Sequence, residues 1–234
     1  MHEWLSWAEG PAFRFALALM VLGLGRLLLL AVLDLALLRR RGGAGGLHLG
    51  PAWRESLGLL LPFRRPWSGR PLYTLLTVVF HLCLLVVPLF LGAHLLLLEG
   101  STGLAWPALD QGAADLLTLT ALAAGALVLL YRVSHRPTRQ LTRFQDLSVL
   151  LLLLAVFGTG WLAAHPGQDP LPHPATRLAH VLAGNLLLVL VPFTKLSHMV
   201  LLPLTRAATR ASWHLEPGAG ARVGRAMGLE EGGE

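Results

Sequence analysis

The chain has 234 residues, of which 54% are hydrophobic and 14% charged, with a formal net charge of +6. A soluble domain usually carries about 25% charged residues, so this composition lacks the polar surface that a soluble fold of one-domain length needs. The arginines do not make a nucleic-acid surface either, because they cluster just beyond the ends of long Leu-, Val- and Ala-rich runs, where they orient membrane helices.

A spanning helix needs about 20 apolar residues, and five segments qualify. The first covers about residues 12–38 and ends at Arg39, Arg40 and Arg41. It follows Glu3 and Glu9 instead of a basic segment and is long enough to span, so it reads as a span and not a cleavable signal. Residues 42–50 read as a flexible loop, and residues 52–61 as a short interfacial helix with Trp53 and Trp67 at headgroup level. The second span covers about 71–98 and ends at Glu99; it contains the single cysteine, Cys83, which reads as a small buried apolar side chain. The third covers about 114–131 and ends at Arg132, the fourth about 147–164, and the fifth about 175–204, before Arg206. Residues 1–215 then form one membrane domain, and the Gly-rich polar tail at 216–234 is expected to be disordered. There is no internal repeat.

The positive charges set the expected topology. Arg39, Arg40, Arg41, Arg54, Arg64, Arg65 and Arg70 lie between spans one and two, and Arg132, Arg136, Arg139 and Arg143 between three and four. Arg206, Arg210, Arg222 and Arg225 follow span five, whereas the opposite side holds only Arg14 and Arg177. The arginine-rich side is cytoplasmic by the positive-inside rule. The expectation is an all-α integral membrane protein, a five-helix transmembrane bundle with the N-terminus outside, the C-terminus cytoplasmic and lipid around it.

Ionisable side chains inside a membrane are costly and mark function. Four histidines fall within spans, His81 and His94 in the second and His180 and His198 in the fifth. The other six lie at span ends, in loops or in the tail and read as solvated surface. Span two runs outward and span five inward. At 1.5 Å per residue, His94 sits roughly 7 Å below Glu99 and His180 roughly 9 Å below Pro174. His81 and His198 sit roughly 16 Å and 12 Å from the inner arginines. The depths give an outer pair, His94 with His180, and an inner pair, His81 with His198. Two imidazoles from facing helices are what a six-coordinate haem iron needs. Zinc would call for four compact ligands at one depth, and no carboxylate joins either pair. His180 and His198 are eighteen residues apart and share a helix face. His81 and His94 fall about 140° apart on an ideal helix, and Pro88 between them is expected to kink the helix and correct the phase.

Gly92, Ala93, Ala179, Ala183 and Gly184 flank the outer pair and offer the bare surface that a flat macrocycle needs, although close helix packing uses small residues too. Arg26, near the middle of span one, suits a haem propionate, a pair with Asp34 or a polar cavity equally. Lys195, one turn from His198, reads as a snorkelling boundary lysine or as a propionate partner.

The stretch Pro192-Phe193-Thr194-Lys195-Leu196-Ser197-His198 resembles the end of the last helix in the gamma subunits of respiratory nitrate reductases and in related cytochrome b subunits of sulfite-reduction-linked membrane complexes. Phe80-His81 and Gly92-Ala93-His94 resemble the second helix of those proteins, although the thirteen-residue spacing of His81 and His94 is wider than the nitrate reductase pattern. The resemblance implies a dihaem cytochrome b in a bacterial cytoplasmic membrane. It implies that electrons pass between membrane quinol or quinone at the outer haem (His94, His180) and a cytoplasmic iron–sulfur partner at the inner haem (His81, His198). Glu99, Asp110, Asp115 and His165 are candidates for the quinone site. The competing expectations are a polytopic transporter, against which the five spans show neither two similar halves nor a broken-helix pair, and a haem-free membrane anchor, which needs no buried histidines.

Overall fold

The structure, a computed structural model, describes residues 1–41, 70–198, 201–202, 204–205 and 225. The expected loop at 42–50, the interfacial helix at 52–61, Trp67 and, Arg225 apart, the tail at 216–234 lie outside the described residues. The described residues fall into two units, Met1–Val21 with Arg65–Lys195, and Leu22–Arg64 with Leu196–Glu234. Among the described residues all regular structure is helical, and five helices are long and apolar enough to cross a membrane.

The N-terminus begins with α1 (His2–Trp7), a wide turn over Ala8–Ala12 and α2 (Phe13–Arg41). Pro11 lies inside that turn and has no N–H to give the preceding turn. The Ala8 carbonyl accepts from the buried Asn185 amide at 2.8 Å. Arg177 pairs with Glu9 at 2.7 Å. Both contacts tie the wide turn to α8 (His173–Leu190).

The first unit is built around α3 (Pro71–Phe90), α5 (Gln111–Ser134), α7 (Phe144–Ala164) and α8. The short helices α4 (Gly92–Thr102) and α6 (Arg136–Leu141) follow α3 and α5 respectively. Contacts run α3 to α5, α5 to α7 and α7 to α8. The packing face of α5 carries Ala114, Ala121, Ala124, Gly125 and Val128. A Cβ at Gly125 would lie 2.8 Å from both Phe80 Cε2 on α3 and Leu154 Cδ2 on α7. Glycine there lets one helix sit between two others, as small residues do in membrane bundles. The core is correspondingly thin: Phe80, Cys83 and Val87 from α3 and Leu150, Leu153 and Phe157 from α7 repeat at helical spacing. Leucines elsewhere stay exposed, as on a lipid-facing surface: Leu96 is 71% and Leu116 67% exposed.

Side chains cap the starts of α5 and α7. Asp110 accepts from Ala113 N–H at 3.0 Å and starts α5. At the start of α7, Asp146 accepts from Arg143 N–H at 2.9 Å through one oxygen and from Lys195 Nζ at 2.6 Å through the other.

Two spans differ from the sequence expectation. The second is not one kinked helix over 71–98 but two helices separated at Leu91, whose backbone is extended (φ −71°, ψ 127°). The fifth is α-helical only to Leu190, followed by short tighter turns over Val191–Phe193 and Lys195–Ser197. Pro192 cannot donate to the helix. Thr194 is extended, and its hydroxyl donates to the Leu190 carbonyl at 2.8 Å. The shared-face argument for His180 and His198 therefore does not carry, because an uninterrupted helix does not join them.

Gly125→Leu should destabilise the protein by about 1–3 kcal/mol through overpacking. Gly158→Leu should cost far less, since a Cβ there meets nothing within 4 Å. Thermal unfolding of the two variants in detergent checks the order.

Candidate functional site

The site begins with the break in span two. In a continuous helix the carbonyls of Pro88, Leu89 and Phe90 would accept from the N–H groups of Gly92, Ala93 and His94. At the break each finds a different donor. Pro88 O accepts from His94 Nδ1 at 3.2 Å, Leu89 O from the Trp106 indole at 2.7 Å, and Phe90 O from Leu109 N–H at 2.8 Å. The segment after α4 therefore folds back over the break, and a Cβ at Gly92 would rest on Ala108 at 3.9 Å. Gly103, at φ +74°, turns the chain after α4, a conformation that suits glycine.

His94 faces His180 on α8. Their ring centroids are 5.9 Å apart and the planes lie within 12° of parallel. His180 Nδ1 lies 3.0 Å from the Val156 carbonyl on α7, with Thr159 Oγ1 at 3.4 Å. A carbonyl can only accept, so both Nδ1 atoms carry the proton, and the two Nε2 atoms keep their lone pairs. Gly160 on α7 makes room for the His180 ring, because a Cβ there would lie 2.8 Å from Cε1. On α8, a Cβ at Gly184 would meet nothing within 4 Å, so the helix is bare one turn from His180.

The centroid separation is close to that of two imidazoles with a metal between them. A metal bonded to one nitrogen of each ring sits about 2 Å from both, and adding the ring radii gives a centroid separation of roughly 6 Å. Fixing the second nitrogen on a carbonyl is how proteins orient ligating histidines. Among the described residues no cluster of three or more His, Cys, Asp or Glu side chains could hold an ion by itself. Two histidines, with bare helix one turn from His180, suit in number a cofactor that brings its own equatorial ligands, as haem does.

The remaining sequence candidates are placed as follows. His81 is exposed on α3, and its Nδ1 contacts the Thr77 carbonyl at 2.7 Å, again leaving Nε2 as the lone-pair nitrogen. His198 belongs to the second unit, as does Arg26, which is exposed on α2. His94 and His180 are thus brought together, while His81 and His198 fall in different units. Lys195 meets Asp146, as described. Asp115 and His165 meet at 3.3 Å, whereas Asp110 serves as a helix cap, and Glu99 accepts from Gly103 N–H through its backbone. Sequence reasoning missed the Val156 carbonyl, Gly160, Trp106 and Asn185. Gly160, a glycine inside an apolar span, is the one signal that could have found α7 behind a ligand.

Among the described residues, five apolar helices with leucine-rich exposed surfaces and no strand define a helical, multi-pass membrane protein in contact with lipid. The chain is 35% identical over 173 residues to a protein of Nitratidesulfovibrio vulgaris named simply "Protein", an alignment that covers 73% of this chain and 75% of the relative. The chain belongs to the family of that protein. No family model and no solved structure matches it.

The hydrogen bonds fix a tautomer. In cofactor-free protein at neutral pH, nitrogen-15 spectra should show His94 and His180 protonated at Nδ1, and a signal from Nε2-protonated rings at these positions would contradict the placement.

Proposed function

We propose that this chain is a dihaem b electron-transfer subunit of a bacterial cytoplasmic membrane. In this reading it exchanges electrons between membrane quinol or quinone on the outer side and an iron–sulfur or other redox subunit on the cytoplasmic side. The observation that carries the reading is the His94–His180 pair: near-parallel rings 5.9 Å apart on two helices, each with Nδ1 on a backbone carbonyl. His94 and His180 would hold the outer haem. His81 and His198 would hold the inner one by the depth argument and by the resemblance of Pro192–His198 to cytochrome b subunits. Arg26 and Lys195 remain the cationic candidates for propionates. The arginine distribution supports an N-terminus outside and a C-terminus in the cytoplasm.

Bound haem supplies reversible one-electron chemistry at iron. The protein's part is positional. The Val156 and Pro88 carbonyls keep Nε2 of each outer histidine unprotonated, and Gly160 lets the His180 ring reach its place.

The transporter reading gains one observation, since two spans prove to be interrupted and interrupted helices form ion sites in transporters. At Leu91, however, each of the three displaced carbonyls has found a donor, in His94, Trp106 and Leu109.

A dithionite-reduced minus oxidised spectrum of the detergent-purified chain, with pyridine-haemochrome quantitation, is expected to show two haems b per chain. His180→Ala should remove one of them, and Gly160→Val, which crowds the ring without deleting the ligand, should lower occupancy of the same haem. Protein produced with ample haem that carries none would refute the electron-transfer reading and favour a transporter or anchor.

A further inference from the structure

A second polar cluster stands on the loop that joins α7 to α8. Three of the four buried side-chain atoms that lack a hydrogen-bond partner among the described residues fall within residues 169–176: Asp169 Oδ2, His173 Nδ1 and Thr176 Oγ1. Buried polar groups are nearly always bonded, so three orphans in one short stretch call for a common cause. The Asp169 side chain is 0% exposed, and its Oδ2 lies 4.0 Å from His173 Nδ1. His173, expected from the sequence to be solvated, keeps this nitrogen buried although its side chain is 39% exposed.

At 4.0 Å the two atoms are too far apart for a hydrogen bond, which needs about 3 Å. They are close enough for one ion, because a metal bonded to an imidazole nitrogen and a carboxylate oxygen at about 2.0–2.2 Å each spans up to about 4.2 Å. Thr176 adds an oxygen. In a helix a threonine hydroxyl commonly donates to the carbonyl four residues back, as Thr77, Thr118 and Thr159 do here. Thr176 does not, and it lies three residues after His173 on the same side of α8. The loop is held by other groups. Asp169 accepts from Leu171 N–H at 3.0 Å through its second oxygen, Oδ1. Pro170, Pro172 and Pro174 restrict the backbone around His173. The three orphaned atoms are thus positioned by the fold without being consumed by it.

We propose that Asp169 Oδ2, His173 Nδ1 and Thr176 Oγ1 bind a divalent transition-metal ion of the zinc class, with water completing its shell. Carboxylate and imidazole are donors that such ions take, and three protein donors with one water make an ordinary zinc shell. The site is independent of the dihaem reading. His173 stands seven residues, about two turns, before His180 on α8. An ion there joins the α7–α8 loop to the first turn of the helix that carries His180, and so braces that helix.

The test is isothermal titration calorimetry with Zn2+ on the detergent-purified full-length chain, made without a polyhistidine tag and stripped with a chelator. Wild type should bind zinc saturably. Asp169→Asn and His173→Gln, which keep size and polarity, should each weaken this binding by about a hundredfold or more, since loss of a group that merely supports a ligand already costs about 10- to 100-fold. His165→Gln and His180→Ala should leave it unchanged, which separates the site from the other histidines. Without zinc, Asp169→Asn should melt at or above the wild-type temperature, because it removes an atom that has no partner. Zinc at about a hundred times its Kd should raise the melting temperature of wild type and not of Asp169→Asn. No saturable binding by wild type would overturn the proposal and leave the three atoms to ordered water. Unchanged affinity in either Asp169→Asn or His173→Gln, or loss of binding in His180→Ala, would overturn it as well. Metal-free Asp169→Asn that melts below wild type would mark a structural pair with His173 instead. None of these failures touches the dihaem reading, which the haem spectrum tests.

Discussion

Inside a bilayer a backbone carbonyl without a partner has no water to turn to, and each such group costs several kcal/mol. This constraint governs the break at Leu91. Once the chain leaves the helix there, three carbonyls lose their usual donors, and the protein must bring others to them. It uses the ring of His94, the indole of Trp106 and the backbone of Leu109. The same bonds fold the segment after α4 over the break and fix the tautomer of the histidine that faces α8. The orientation of a candidate ligand is thus a by-product of satisfying the backbone around it.

The same logic recurs elsewhere in the first unit. In the wide turn around Pro11 the Ala8 carbonyl is met by Asn185 from α8. Pro192 interrupts the fifth span, and Leu190 is met by the Thr194 hydroxyl. On α7 the Val156 carbonyl, already in the helix, takes His180 as a second partner, using the spare lone pair that every carbonyl has. Buried polar residues here serve the backbone first and function through the positions this gives them.

The packing explains why so few residues are deeply buried. Lipid is as apolar as leucine, so helices gain little by hiding side chains from it and more by close approach at small residues. Among the described residues, Gly125 between Phe80 and Leu154, and Gly160 against His180, are the two places where a methyl group would collide, and they set how near α7 comes to α5 and α8.

The membrane class and most span positions were readable from the residues, because twenty apolar side chains in a row and arginines beyond their ends are local one-dimensional signals. The pairing of His94 with His180 was readable too, since depth in a membrane depends only on counting residues. What the residues alone did not decide was the phase of His94. A thirteen-residue interval from His81 implied opposite faces, and Pro88 implied a kink, whereas the chain makes a full break at Leu91. That outcome depends on donors seventeen and nineteen residues downstream of the carbonyls they meet, Trp106 on Leu89 and Leu109 on Phe90, so no local rule contains it. The meeting of Asp115 with His165, and the glycine at 160 behind His180, likewise belong to the tertiary structure: which face of one helix meets which face of another is set by contacts between distant segments, and the sequence lists those segments without saying how they touch.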